Sequence, residues 1–281
     1  MKIITTIRTL RQQLAVLRRK GKTVGFVPTM GYFHAGHVSL MKASVKGNDA
    51  TVVSLFVNPI QFGPHEDLAK YPRDLKRDAD MARAEGVDFL FVPSVDQMYP
   101  QPLLTYVDVG RMGEMLCGAT RPGHFRGVAT VVSKLLNIVQ PDVIYLGQKD
   151  AQQVEVIKKM VRDLDFPVRV KVCPTFREKD GLAMSSRNAY LSPAERAQAP
   201  AIYKALCRAR KMIADGERDA AKINSQIKKL ISDGTSASIV YISCVGLDDF
   251  TITRRIKGDT LIAVAARIGS TRLIDNIVVK A

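Results

Sequence analysis

The sequence predicts an α/β fold: a doubly wound, Rossmann-like parallel sheet followed by a smaller C-terminal α+β domain. Three observations predict it. Up to about Thr175, short apolar runs rich in β-branched residues alternate with segments of helical spacing. Beyond that point helices come first and extended runs follow. Finally, the stretches richest in Gly, His and Lys stand directly behind two of the expected strands, the edge at which open parallel sheets bind ligands. The expected domains are residues 1–175 and 176–281.

Taken in order, Thr23 to Pro28 (TVGFVP) reads as a short buried strand, and His37 to about Lys46 as a helix with Val38, Met41 and Val45 on one face. The pattern repeats with Thr51 to Val57 as strand, Asp74 to Ala84 as helix and Val87 to Val92 as strand. Further on, Ala129 to Val139 reads as helix, Val143 to Leu146 as strand, Ala151 to Leu164 as helix and Val168 to Val172 as strand. The second domain opens with a marked helix start: Ser192 as N-cap, Pro193 at the first helical position and Glu195 three residues past the cap. That helix is expected to run to about Ala214, with a second near Ala220 to Ile231. Apolar runs at Ser238 to Val245, Leu261 to Ile268 and Leu273 to Val279 read as strands, the last two joined by a tight turn at Gly269-Ser270.

A chain of 281 residues, 46% of them hydrophobic, can bury a sizeable core. No run approaches the roughly 18 apolar residues of a membrane span, and MKIITTIRTLRQQ lacks the apolar core and cleavage site of a signal peptide, so a cytoplasmic location is expected. Cys117, Cys173, Cys207 and Cys244 form no C-x-x-C pair and read as reduced, packed residues. The formal charge of +15 suits a polyanionic partner, either nucleic acid or a small substrate such as ATP. Lys and Arg are scattered in short groups rather than gathered in one basic helix, which points away from nucleic acid.

The strongest chemical signal is Pro28-Thr29-Met30-Gly31-Tyr32-Phe33-His34-Ala35-Gly36-His37, between the first of these strands and its helix. Glycines allow close approach of a phosphate, and a helix N-terminus offers N–H groups and partial positive charge to an anion. His34 and His37, three apart, project from one side of a helical turn and can donate to phosphate oxygens; ordinary loop histidines or a metal pair remain the alternatives. A second signal, Gly147-Gln148-Lys149-Asp150, follows another strand and puts a mobile cation at its end. The third, Met184-Ser185-Ser186-Arg187-Asn188, supplies two hydroxyls and a guanidinium on a loop that could close over a nucleotide. Each is modest alone; the ordered pair H-x-G-H and M-S-S-R marks the nucleotidyl-transferring fold of class I aminoacyl-tRNA synthetases.

The strings PTMGYFHAGHVSL, FVNPIQFGPHEDLAKYPRD, RPGHFRGVATVVSKLLNIVQPDVIYLGQKDAQQ and REKDGLAMSSRN, in that order, resemble the signature segments of the pantothenate synthetase family, the AMP-forming pantoate:beta-alanine ligases. The resemblance implies ATP-dependent condensation of (R)-pantoate with beta-alanine through a pantoyl-adenylate, with ATP as substrate, Mg²⁺ as its ion, and a homodimer. It implies ATP contacts from Met30, Gly31, Tyr32, Phe33, His34, Ala35, Gly36 and His37, from Gly147, Gln148, Lys149 and Asp150, and from Phe176, Met184, Ser185, Ser186 and Arg187. His37, His34, Lys149 and Arg187 carry the catalytic charge stabilisation in that reading. Pantoate is expected against Pro28, Thr29 and Met30, with Gln61 and Gln153 on its oxygens and Asn58 in the same motif. Cys117 to Arg126 corresponds to a mobile loop in the family. Departures from the family pattern are Phe33 for leucine, Ala35 for an acidic residue, His65 for asparagine and Phe176 for a β-branched residue; none removes a phosphate donor. Two other readings use the same motifs: a nucleotidyltransferase that leaves AMP on a phosphorylated acceptor, and an RNA-binding relative of the synthetases.

Overall fold

The computed structural model describes residues 1–280 apart from 65, 67 and 248, so the departure at His65 lies outside the described residues. The chain divides into two compact units: Met1–Gly147 with Gln152–Pro174, and Gln148–Ala151 with Thr175–Ala281.

The first unit contains, in order, β1 (Lys2–Ile4), α1 (Ile7–Arg19), β2 (Val24–Thr29), α2 (Ala35–Gly47), β3 (Ala50–Leu55), α3 (Leu75–Ala84), β4 (Phe89–Phe91), the one-turn helices α4 (Val95–Met98) and α5 (Cys117–Thr120), α6 (His124–Val139), β5 (Val143–Gly147), α7 (Ala151–Asp163) and β6 (Arg169–Cys173). Six parallel strands lie in the order β1-β4-β3-β2-β5-β6. Both faces are covered, as a parallel sheet requires. Phe26, Val52, Phe91, Ile144 and Leu146 pack on one side with residues of α1, α6 and α7. Val27, Val53, Leu90, Val143 and Tyr145 pack on the other with residues of α2 and α3. Successive strands run outward from β2 through β3 to β4 on one flank and from β5 to β6 on the other, so the order reverses between β2 and β5. Such a reversal opens a crevice beyond the strands' C-terminal ends, and His34 and His37 follow β2 there.

Several elements go beyond the sequence expectation, among them β1, α1 and the start of α6. β1 adds to the sheet edge with Ile3 opposite Leu90, and α1 is started by Thr6, whose side chain accepts the Thr9 N–H, with Leu10 and Leu14 fully buried one turn apart. α6 starts at His124, five residues before Ala129, behind Gly123 at φ 77.

The second unit contains α8 (Pro193–Gln198), α9 (Ala201–Ala214), α10 (Ala220–Gly234), β7 (Ser238–Gly246), β8 (Thr251–Ile252), β9 (Asp259–Ile268) and β10 (Thr271–Lys280). The expected capping box is present: Ser192 Oγ accepts the Glu195 N–H and the Glu195 carboxylate accepts the Ser192 N–H. The single helix expected from there to Ala214 is instead two, because Pro200 has no N–H to continue the ladder and stands at the N-cap of α9. The antiparallel sheet, ordered β10-β9-β7-β8, buries Cys244, Ile262, Val264 and Ile277 with Ile202, Leu206, Ile223 and Ile227 of α9 and α10. Gly269 and Ser270 join β9 to β10 as expected, with Ile268 opposite Thr271.

Candidate active site

In the first unit the chain leaves β2 through a turn held on every side. Thr29 Oγ1 donates to the Ser54 carbonyl (2.6 Å) and accepts the Gly31 N–H (3.2 Å). Gly31 has φ 88 and Tyr32 φ 53, so two successive residues sit in the left-handed region. A side chain at Gly31 would also meet Leu55 Cγ at 3.0 Å and Asp78 Oδ2 at 3.1 Å. The strained turn is clamped by α3: Asp78 Oδ2 accepts the Tyr32 N–H (2.7 Å) and Oδ1 the Phe33 N–H (2.7 Å), while Arg77 donates to the Phe33 carbonyl (2.9 Å). Burial pushes the Asp78 carboxyl above its ordinary range, although the two N–H groups favour its ionised form. The Phe33 ring is fully buried and anchors the turn from below.

That turn delivers His34 as N-cap of α2 and His37 at its third position. His34 Nδ1 accepts the Gly36 N–H (3.1 Å) and His37 Nδ1 accepts the His34 N–H (3.4 Å), a reciprocal cap built from two imidazoles with ring centroids 4.1 Å apart. A ring nitrogen that accepts an N–H carries no proton, so this network assigns both neutral rings the Nε2–H tautomer. The result is two N–H donors at the N-terminus of a 13-residue helix, whose own dipole favours an anion.

Beside the turn lies an uncharged polar group. Gln61 Nε2 donates to Met30 Sδ (3.2 Å), and Asn58 Nδ2 donates to Gln61 Oε1 (3.0 Å) and to the Gly127 carbonyl (3.2 Å). Tyr99 donates to Asn58 Oδ1 (2.8 Å), and burial raises the pKa of its hydroxyl, keeping it a donor. Asn58, 1% exposed, thus uses its amide to hold Gln61. The backbone of Gln61 is fixed as well. Arg121 donates to His124 Nε2 (2.9 Å), which leaves the proton on Nδ1 to donate to the Gln61 carbonyl (2.9 Å). Arg121 is itself paired with Glu66. The segment from Cys117 to Arg126 accordingly includes a helical turn and the start of α6. Gln153 is half-buried on the first turn of α7. Its neighbour Gln152 ties down residues 112–117, accepting the Cys117 N–H and donating to the carbonyls of Met112 and Met115.

The second unit assembles the other candidates. Gln148–Asp150 form a single 3-10 turn directly after Gly147, with Lys149 Nζ 3.6 Å from Asp150 Oδ1. Asn276 of β10 reads this turn with its whole amide, donating to the carbonyls of Gln148 (3.0 Å) and Lys149 (2.9 Å) and accepting from Gln148 Nε2 (3.1 Å). The neighbouring Asp275 takes both arms of Arg177 (2.6 and 2.9 Å), whose guanidinium lies 3.6 Å from the centre of the Tyr203 ring. Arg177 and Ala183 bridge antiparallel, the Met184 N–H reaches the Phe176 carbonyl (3.0 Å), and Phe176 is 43% exposed. Ser185 then caps the 3-10 turn Ser186–Tyr190 that carries Arg187.

Of the residues singled out from sequence, the first unit joins Met30 with Gln61 and Asn58, and His34 with His37, while Gln148 to Asp150 share the second unit with Phe176 and Met184 to Arg187. Asp78, Arg77, His124, Tyr99 and Asn276 were not singled out. Asp78 and Asn276 look in the sequence like an ordinary helix residue and a polar residue inside a strand; only the fold reveals what they hold.

The whole chain is matched by known proteins. The model of the pantoate-beta-alanine ligase family covers residues 2–278. A pantothenate synthetase of Caldicellulosiruptor bescii is 51% identical over 281 residues, 100% of both chains. One from Heliobacterium modesticaldum is 53% identical over 280 residues, again 100% of both. The crystal structure of the Thermus thermophilus pantothenate synthetase superposes with a TM-score of 0.93 at 44% identity, covering 99% of each chain. The Francisella tularensis pantoate-beta-alanine ligase, crystallised with beta-gamma ATP and beta-alanine, gives 0.81 at 36% identity, covering 99% of this chain and 97% of its own. With sequence identity of this order sustained from end to end over one shared fold, the chain belongs to the pantoate-beta-alanine ligases, the pantothenate synthetase family.

Proposed function

We propose that the protein joins (R)-pantoate to beta-alanine at the expense of ATP, releasing AMP and pyrophosphate through a pantoyl-adenylate. The observation that carries this reading is that one turn after β2 bears both the pair of Nε2–H imidazoles at the start of α2 and, through Met30, the uncharged Gln61–Asn58 group. Attack of a carboxylate on the α-phosphorus is limited by charge and orientation. His34 and His37 donate to phosphate oxygens as negative charge builds, and Lys149 and Arg187 neutralise the remainder. An arginine clamp would hold the pantoate carboxylate as a stable ion pair and blunt its attack. Amides at Gln61 and Gln153 orient it instead, with Pro28, Thr29 and Met30 against its carbon frame. The neutral amine of beta-alanine then attacks the mixed anhydride and AMP leaves.

Among the described residues no group of three or more His, Cys, Asp or Glu stands ready to hold a metal. A Mg²⁺ would arrive on the triphosphate, held chiefly by phosphate oxygens and water. Its contribution would be to offset phosphate charge. We also propose a cytoplasmic homodimer. The location is supported by four cysteines that form no disulfide, as a reducing compartment allows; the dimer rests on the family resemblance, and light scattering tests it.

The decisive experiment is exchange of labelled pyrophosphate into ATP, with pantoate and with near analogues, followed by addition of beta-alanine. His37→Ala or Lys149→Ala is expected to slow exchange by at least ~10² without unfolding the protein, the usual worth of one well-aimed donor. Near-normal exchange in either variant rejects that residue's assignment; a stable dinucleotide product rejects the ligase reading itself.

A further inference from the structure

We propose that Asn276 is a positioning residue for the reaction: its side-chain amide sets the direction in which Lys149 is presented to the phosphates of ATP. The inference rests on the assignment of Lys149 above and deepens it. Lys149 is carried on a 3-10 turn of three residues, a conformation of poor hydrogen-bond geometry, which runs directly into α7. A single side chain from β10, nearly 130 residues away in sequence, bonds to it three times.

Asn276 is 4% exposed, and its amide meets the turn with two donors and one acceptor. The donors take the carbonyls of Gln148 and Lys149, which fixes the two successive peptide planes on either side of the Lys149 Cα. With both planes fixed, the Cα–Cβ bond of Lys149 has one direction, and the flexible ammonium starts from a defined point. The acceptor takes Gln148 Nε2 and stops the neighbouring side chain from competing for the same carbonyls. Among the standard side chains only a carboxamide presents this planar set of donors and acceptor. Asparagine is the short one, and it stands on a strand whose ten-residue register with β9 does not let it shift. The aspartate isostere has the same shape, yet it would lay carboxylate oxygens against two carbonyl oxygens and lose both donors.

The test uses the full-length protein in a double-mutant cycle with Asn276→Asp, Lys149→Ala and both together, read by pyrophosphate exchange and by thermal unfolding. Asn276→Asp is expected to lower kcat for adenylate formation at least ~10-fold, with KM for pantoate unchanged within about twofold and an unfolded fraction no larger than the parent's at the assay temperature. Because the asparagine acts through the lysine, the double variant should be no slower than Lys149→Ala alone. If Lys149→Ala is slow while Asn276→Asp keeps the parent rate, or if the two losses multiply, Asn276 does not act through Lys149 and the proposal falls by itself. If Lys149→Ala is itself near normal, the lysine assignment falls and takes the proposal with it. Should the aspartate variant fail to fold, Asn276→Ser, which keeps one donor, is judged by the same cycle.

Discussion

Asp78→Asn probes how the histidine-bearing turn is held. In the parent, one carboxylate accepts two adjacent N–H groups, from Tyr32 and Phe33, at 2.7 Å each. An asparagine can match only one of them; its NH₂ then faces the other N–H, leaving a buried donor unsatisfied at about 1–3 kcal/mol. Removing a buried charge returns part of that, since burial already pushes the carboxyl pKa up, so the net loss of stability should be about 1–2 kcal/mol. Tyr32, at φ 53, is strained by a comparable ~1–2 kcal/mol, so the turn has reason to relax once half its clamp is gone. A misplacement costing about 1.4 kcal/mol in the transition state lowers exchange roughly tenfold. Urea denaturation and pyrophosphate exchange measure the two effects. The pH dependence supplies an independent check. A carboxyl whose pKa is raised on folding binds its proton more tightly in the folded chain. Its contribution to stability is complete below the ordinary value of 3.8 and is lost as pH rises through the raised one. Asparagine does not titrate, so the parent should gain on the variant between pH 7 and pH 4. A variant as stable and as fast as the parent refutes the clamp; one that gains on the parent in acid refutes the raised pKa.

Gly127→Ala should strike the pantoate side alone. An added Cβ would lie 2.4 Å from the Ile60 carbonyl oxygen and 2.7 Å from Gln61 Cα, so α6 or the Gln61 turn must move. A stability loss of about 1–3 kcal/mol with a severalfold rise in KM for pantoate is expected, and an unchanged KM would mean that Gln61 does not hold this substrate. Phe176→Val, which restores the β-branched type of the family, should leave stability within about 0.5 kcal/mol. If the exposed ring stacks on adenine, worth about 1–3 kcal/mol, KM for ATP rises at least about fivefold; an unaltered ATP KM removes Phe176 from the nucleotide site.

Strands β2 to β6 of the first unit, unlike β1, were legible because parallel strands in a covered sheet read as apolar runs, and the Gly–His stretch was legible because it falls where such a strand ends. The faces of helices were harder to read. In α2 the spacing suggested Val38, Met41 and Val45, yet the buried side is Leu40, Met41 and Ser44, with Val45 36% exposed. A serine carries no weight as a core residue, but Ser44 is buried because its hydroxyl bonds to Thr51 of the adjoining strand (2.8 Å). The start of α6 was hidden for a related reason. His124 and Gly127 break an apolar pattern, although one holds the Gln61 backbone and the other makes room for it. Local sequence exposes residues that would touch a ligand, through composition at a strand's end. It says nothing of those that brace them from afar, such as Asp78, 46 positions from Tyr32.

The turn between β5 and α7 sits between two strands of chain that belong to the first unit, yet it is grouped with the second. For anyone building hybrids from related ligases, this makes the obvious splice near Thr175 a poor one. A donor's final strand would meet a foreign Gln148–Asp150, and the amide at position 276 would face a loop it did not evolve beside. Hybrids in which residues 148–151 travel with the C-terminal half should keep their turnover where simple end-to-end fusions lose it.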